Sequence, residues 1–299
     1  MSRLSRSVPA LAGVAVLALA GCGDHVSDAA ADGKIAVVAS TNVWGSVVQA
    51  VGGNRVGVDS IVDDASGDPH AHPDSPEDAA AVADAALVVF NGGGYDDFFT
   101  ELIDGTGTDA RQVDAFAISG HEVGANEHVW YDLPTVRKVA DRIAVELGAL
   151  DAGHKAMFTA NAKTFGARVD AVAARAKRAG EARPGAKVVA TEPVAHYLLE
   201  AAGLTDVTPP EFSEAIEEET DPPVSAFAAT LDLVSGRRVA MLVANAQTQT
   251  PVTDSLVESA RKAGIPVITV TETLPRGVTG YVEWMTQQVD AIAGALART

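Results

Sequence analysis

Residues 67–76, Gly-Asp-Pro-His-Ala-His-Pro-Asp-Ser-Pro, set two imidazoles and two carboxylates within ten positions. Imidazole is the commonest protein ligand for transition metals, and a histidine held between prolines gives up little further freedom when it is fixed on an ion. Pro69, Pro73 and Pro76 keep the backbone extended while Gly67 lets it turn. The same composition also describes an ordinary solvated turn. A second polar stretch, 118–130, carries His121, Glu122, Glu127 and His128, and two further carboxylates stand alone: Glu192 before Pro193, and Glu272 between two threonines.

What must position these groups is an alternation of strands and helices. Apolar, β-rich runs at 34–40, 56–62, 86–90 and 112–116 are separated by helical segments at 42–51, 76–86 and 95–103, and strand, helix and strand at this spacing mark a parallel sheet. Ser75 before Pro76, with Glu77 and Asp78 following, is helix-start chemistry. Asn91-Gly92-Gly93-Gly94 lacks the Lys-Ser/Thr of a phosphate loop and the spacing of a dinucleotide fingerprint, and reads as a flexible turn. Val136, Val139, Ile143, Leu147 and Leu150 trace one buried helix face. Phe158, Ala162, Phe165, Val169, Val172 and Ala176 trace a longer one ending at Gly180, a rod of roughly 40 Å at about 1.5 Å per residue, read as a bridge between two domains. Beyond it come strands at 187–191, 239–244 and 266–271, helices at 193–202, 222–233, 252–263 and 278–296, and an acidic loop at 211–221.

A length of 299 residues suits two domains, each folding around its own apolar interior. Aromatics make up only 5% while Ala, Val and Gly are plentiful, which favours closely packed α/β layers over a sandwich or barrel. The first residues carry Arg3 and Arg6, then an apolar run at 8–20, then Leu19-Ala20-Gly21-Cys22, the pattern of a secretory leader too short to span a membrane. Cys22 is the only cysteine, so the exported chain has no disulfide. Loss of the leader leaves 20 basic against 40 acidic residues, a formal charge of −20, which repels nucleic acid and draws cations.

Ligands of open parallel sheets sit beyond the carboxyl ends of the strands. The strand ending at Val62 delivers His70, the polar loop before Pro134 delivers His128, the strand ending at Thr191 delivers Glu192, and the strand ending at Thr271 delivers Glu272. Each has an ordinary explanation alone: Glu192 complements a helix dipole, Glu272 is a turn residue, His128 a surface histidine. Their common address at one edge, two imidazoles from the first domain and two carboxylates from the second, is what points to a metal.

Asp68-Pro69-His70 followed by Ser75-Pro76-Glu77-Asp78, and Glu127-His128-Val129-Trp130-Tyr131-Asp132, resemble the two histidine motifs of the metal-binding solute-binding proteins of bacterial ABC importers, the zinc and manganese group known as solute-binding protein family 9. Leu19-Ala20-Gly21-Cys22 resembles a bacterial lipobox. These resemblances imply two parallel-sheet α/β lobes joined by a long rigid helix, with a metal site in the interlobe cleft made by His70, His128, Glu192 and Glu272. They imply a leader at 1–21, a flexible tether at 22–33 after lipidated Cys22, an N-terminal lobe at 34–152, a bridging helix at 153–182 and a C-terminal lobe at 183–299. The expected protein is a monomer on the outer face of the cytoplasmic membrane, held there by its lipid, with an importer permease as partner, no nucleic acid and no organic cofactor. It departs from the family's commoner patterns at Glu192, often histidine, at Glu272, commonly aspartate, and at His72, where an aromatic is usual and which is left as a supporting group or a spare ligand.

Two imidazoles with two carboxylates form a harder donor set than three imidazoles, which favours manganese or iron(II), although affinity for nitrogen and oxygen sites rises from manganese to zinc. The expected cargo is therefore a divalent transition metal, manganese or zinc, with manganese preferred. Four protein ligands leave little room for an activated water, so the expected activity is binding and not catalysis. The rivals are a metal-dependent hydrolase, with Glu127 or His72 as base, and an adhesin-like surface lipoprotein whose metal is structural.

Overall fold

A computed structural model describes residues 33–63, 72–73 and 75–298, together with Met1. The leader, Cys22, most of the tether, and His70 with most of its loop lie outside the described residues. The first lobe runs β1 (Ile35–Thr41), α1 (Asn42–Gly52), β2 (Val56–Val62), α2 (Pro76–Asp84), β3 (Leu87–Phe90), α3 (Asp97–Thr106), β4 (Arg111–Asp114) and α4 (Ala115–Ser119). Two long helices follow, α5 (Leu133–Leu150) and α6 (Lys155–Glu181). The second lobe runs β5 (Lys187–Ala190), α7 (His196–Ala201), β6 (Thr205–Asp206), α8 (Pro210–Glu217), α9 (Val224–Ser235), β7 (Met241–Asn245), α10 (Pro251–Ala263), β8 (Val267–Val270) and α11 (Tyr281–Leu296).

Both sheets are parallel throughout and share one order, β2-β1-β3-β4 and β6-β5-β7-β8. β3 and β7 are buried at every position, as strands covered by helices on both faces must be. α2 starts where its sequence says: Ser75 accepts from the Glu77 backbone nitrogen at 3.1 Å and Pro76 occupies the first turn.

The expected strand at 112–116 stops at Asp114, because its Oδ1 accepts from the Ala117 nitrogen at 2.9 Å and opens α4. The acidic segment 211–221 is not a loop throughout. Pro210–Glu217 is helical, with Phe212 and Ile216, four residues apart, turned into the core.

Each lobe has an apolar cluster of its own, around Val38, Val88 and Phe99 in the first and Val189, Phe212 and Leu242 in the second, and a larger one is shared between them. A single cluster joins Val37 and Leu87 of the first sheet to Val188 and Met241 of the second, through Phe158, Phe165 and Val172 of α6 and Trp284 of α11. α6 packs on α1 and α5 from one lobe and on α11 and α7 from the other, so the sheets face common helices. At about 1.5–3 kcal/mol for each large side chain buried, this shared layer ties the lobes far more strongly than surface contacts would. Gly180, near the end of α6, lies so close to α7 that a Cβ there would stand 1.5 Å from the Ala202 carbonyl oxygen. Among the described residues no helix is long and apolar enough to cross a membrane.

Candidate metal centre

In both sheets the chain leaves the first strand to one side and returns on the other, so the crevice opens beyond the ends of β1 and β3 in one lobe and of β5 and β7 in the other. Glu192 lies just past β5, Asn245 ends β7, and Glu272 lies just past β8. Glu192 and Glu272 are both buried, and one amide group holds them together: Asn245 Nδ2 donates to Glu192 Oε2 at 2.5 Å and to Glu272 Oε1 at 2.7 Å. Asn245 is itself fixed, its nitrogen donating to Thr191 Oγ1 at 3.0 Å and its Oδ1 accepting from the Gln247 nitrogen at 3.2 Å. Gln247 Oε1 accepts from the Glu272 backbone nitrogen at 2.6 Å. Two carboxylates held side by side away from water form a strong attractor for a cation.

The facing half comes from the first lobe. His128 is 1% exposed and packs against Tyr95 and Trp130, with ring centres 5.9 and 5.0 Å away. The glycine run at 92–94, with φ of 71°, 71° and 97°, closes a turn that carries Asn91 and Asp96. Asn91 Nδ2 donates to the Glu127 carbonyl at 2.8 Å and so anchors the histidine loop. Asp96 accepts from the Asn91 and Gly92 nitrogens, both at 2.7 Å, and burial pushes its carboxyl up to about 6 in spite of them. The halves are bonded to each other: Asn126 Nδ2 donates to the Pro193 carbonyl at 3.0 Å, Tyr197 Oη to the Asn126 carbonyl at 2.6 Å, and Tyr131 Oη to the Thr271 carbonyl at 2.9 Å.

Glu217, at the end of α8, links the two halves. Its Oε1 lies 3.5 Å from His128 Nε2, and the ligand atoms of Glu127, His128 and Glu217 all fall within 4.8 Å of one another. Burial, with the charges of Glu127, Glu192, Glu272 and Glu214, pushes the Glu217 carboxyl up to about 8. The carboxyl that His128 faces thus also feels the charges of Glu192 and Glu272, whereas His70 is outside the described residues. His72 is engaged elsewhere, its Nε2 2.9 Å from Asp78 Oδ2 and its ring 4.9 Å from Phe98. His121 faces Asp132 at 3.2 Å and stacks on Tyr197. Sequence reasoning missed Asn126, Glu217, Asn245 and Gln247. Asn245 was within reach of the strand-end rule, had it been applied to β7.

Two parallel sheets of like order, joined through a long helix and presenting polar groups to each other across the junction, define a helix-bridged solute-binding protein. The chain belongs to the family described as zinc-uptake complex component A, periplasmic, whose model matches residues 37–295. It is 28% identical over 208 residues to a manganese ABC transporter substrate-binding lipoprotein of Streptococcus anginosus, covering 64% of this chain and 67% of the relative. It is 25% identical over 307 residues to an iron ABC transporter substrate-binding lipoprotein of Streptococcus pyogenes, covering 95% of this chain and 96% of that one. The periplasmic zinc-binding protein of Treponema pallidum shares the fold, with a TM-score of 0.75, 18% identity, and coverage of 88% of this chain and 99% of that one.

Proposed function

We propose that this protein captures a divalent transition metal, manganese in preference to zinc, between its lobes and delivers it to the membrane permease of an ABC importer. His70, His128, Glu192 and Glu272 are the ligands, and the lipid on Cys22 holds the protein to the outer face of the cytoplasmic membrane. The observation that carries this reading is the buried pair Glu192 and Glu272, clamped by Asn245 at the edge where His128 is presented. Relatives named for manganese and for iron support a transition-metal cargo. The donor set of imidazole and carboxylate suits such ions, and carboxylate oxygens tilt it toward manganese.

The protein binds and releases and does no chemistry on its cargo, since a site filled by protein ligands leaves no position for an activated water. The shared core and the bonds from Tyr131, Tyr197 and Asn126 oppose a wide hinge, so loading is accompanied by local adjustment at the mouth of the site. Titration of metal-free protein with manganese(II) and zinc(II) tests the assignment. One ion binds per chain, and His70→Ala and Glu192→Ala each abolish that binding. Full affinity in both variants defeats the assignment.

A further inference from the structure

Asn126 determines which nitrogen of His128 carries hydrogen. Its Nδ2 donates to the Pro193 carbonyl, which leaves Oδ1 facing the histidine, 3.0 Å from the His128 backbone nitrogen and 3.2 Å from Nδ1. An amide oxygen only accepts, so the ring hydrogen sits on Nδ1 and Nε2 presents its lone pair. What Nε2 faces, at 3.5 Å, is Glu217 Oε1, a buried carboxylate oxygen that receives no hydrogen bond among the described residues. Two acceptors turned toward each other in a buried site must share a positive centre, a proton in the metal-free site or a metal ion that takes its place.

The spacing suits such a centre. Two ligand atoms, each about 2.1 Å from one metal ion, stand roughly 3.0 Å apart at a right angle and about 3.4 Å apart at the tetrahedral angle. The helix does not place Glu217 there for its own sake. As the last residue of α8 it puts a carboxyl at the negative end of the helix dipole, where ionisation is disfavoured, while Phe212 and Ile216 anchor the same helix in the second-lobe core.

We propose that Glu217 is a further ligand of the captured ion, a third carboxylate beside Glu192 and Glu272, and that it sets the preference of the site for manganese(II) over zinc(II). The inference rests on the reading of this site as the metal centre. A third carboxylate carries the donor count beyond the four that satisfy zinc and adds hard oxygen, both of which favour manganese.

The test is the ratio of manganese(II) to zinc(II) dissociation constants, measured by chelator competition in the wild type, Glu217→Gln and Glu217→Asp. Gln keeps the shape and removes the charge; Asp keeps the charge and withdraws the oxygen. In both variants manganese binding weakens at least tenfold while zinc binding changes less than threefold. A ratio within twofold of wild type in Glu217→Gln overturns the inference, whether the two affinities fall together or neither falls. A wild-type ratio in Glu217→Asp overturns it as well, since charge alone then suffices. In a crystal structure of the manganese-loaded protein a Glu217 oxygen lies within about 2.5 Å of the ion, and a separation beyond 3.5 Å defeats the proposal. Wild-type protein that binds neither metal removes the underlying site, whereas wild type that binds both while Glu217→Gln keeps its ratio removes only the role of Glu217.

Discussion

Replacing Asn245 by alanine removes an amide that bonds both Glu192 and Glu272. Each lost bond is a hydrogen bond to a charged acceptor, worth about 1.5–3 kcal/mol, so the pair amounts to about 3–6 kcal/mol before water re-enters the space. Allowing for that re-entry, the metal-free protein loses about 2–4 kcal/mol of stability at neutral pH. The effect on metal is of another size. Asn245 supplies orientation, and loss of a group that orients ligands costs about 10–100-fold in affinity, or roughly 1.4–2.7 kcal/mol. Urea unfolding of metal-free Asn245→Ala gives the first quantity and calorimetric titration gives the second. Manganese and zinc weaken together, because the clamp serves both carboxylates whichever ion they hold, and this separates it from the selectivity assigned to Glu217. Affinity within twofold of wild type for both metals, in a variant that has lost the predicted stability, refutes the idea that the clamp presents the carboxylates to the ion.

Asp96 gives a pH dependence. Its carboxyl is raised from 3.8 to about 6 in the folded protein, so the folded state holds its proton more tightly than the unfolded chain does, and the resulting stability is present below pH 4 and lost as pH rises through 6. About two pKa steps correspond to about 3 kcal/mol. Relative to Asp96→Asn, wild type loses that amount between pH 4 and pH 7 in urea unfolding, and a flat difference contradicts the burial argument. Gly180→Ala drives a methyl group into the Ala202 carbonyl and costs about 2–3 kcal/mol, seen as a fall of roughly 5–10 °C in the thermal midpoint; an unchanged midpoint would show that α6 and α7 do not meet so closely.

The architecture was legible because its signals are local and repeated. The period of Phe158, Ala162, Phe165, Val169 and Val172 marks α6, and all five face the core. Strand ends located Glu192 and Glu272 at the buried edge. What escaped depends on contacts distant in sequence. Glu217 looked like one acid among several in 211–221, because an eight-residue helix with two apolar anchors gives a weak periodic signal and its importance comes from His128, far away in the chain. Asn126 reads as a loop residue until its amide is seen to join Pro193 to His128. The shared interior was hidden for a related reason: Ala and Val at helix positions show that a face is buried without showing which sheet covers it.

That interior also governs modularity. With Val37 and Leu87 packed in the same layer as Val188 and Met241, neither half of the chain keeps a complete apolar centre when cut from the other at the long helix. The protein is accordingly expected to unfold in one cooperative step by urea titration, with nicking in exposed segments freeing no stable fragment, and a lobe exchanged with that of a relative is expected to fold only if the matching surfaces of α6 and α11 travel with it.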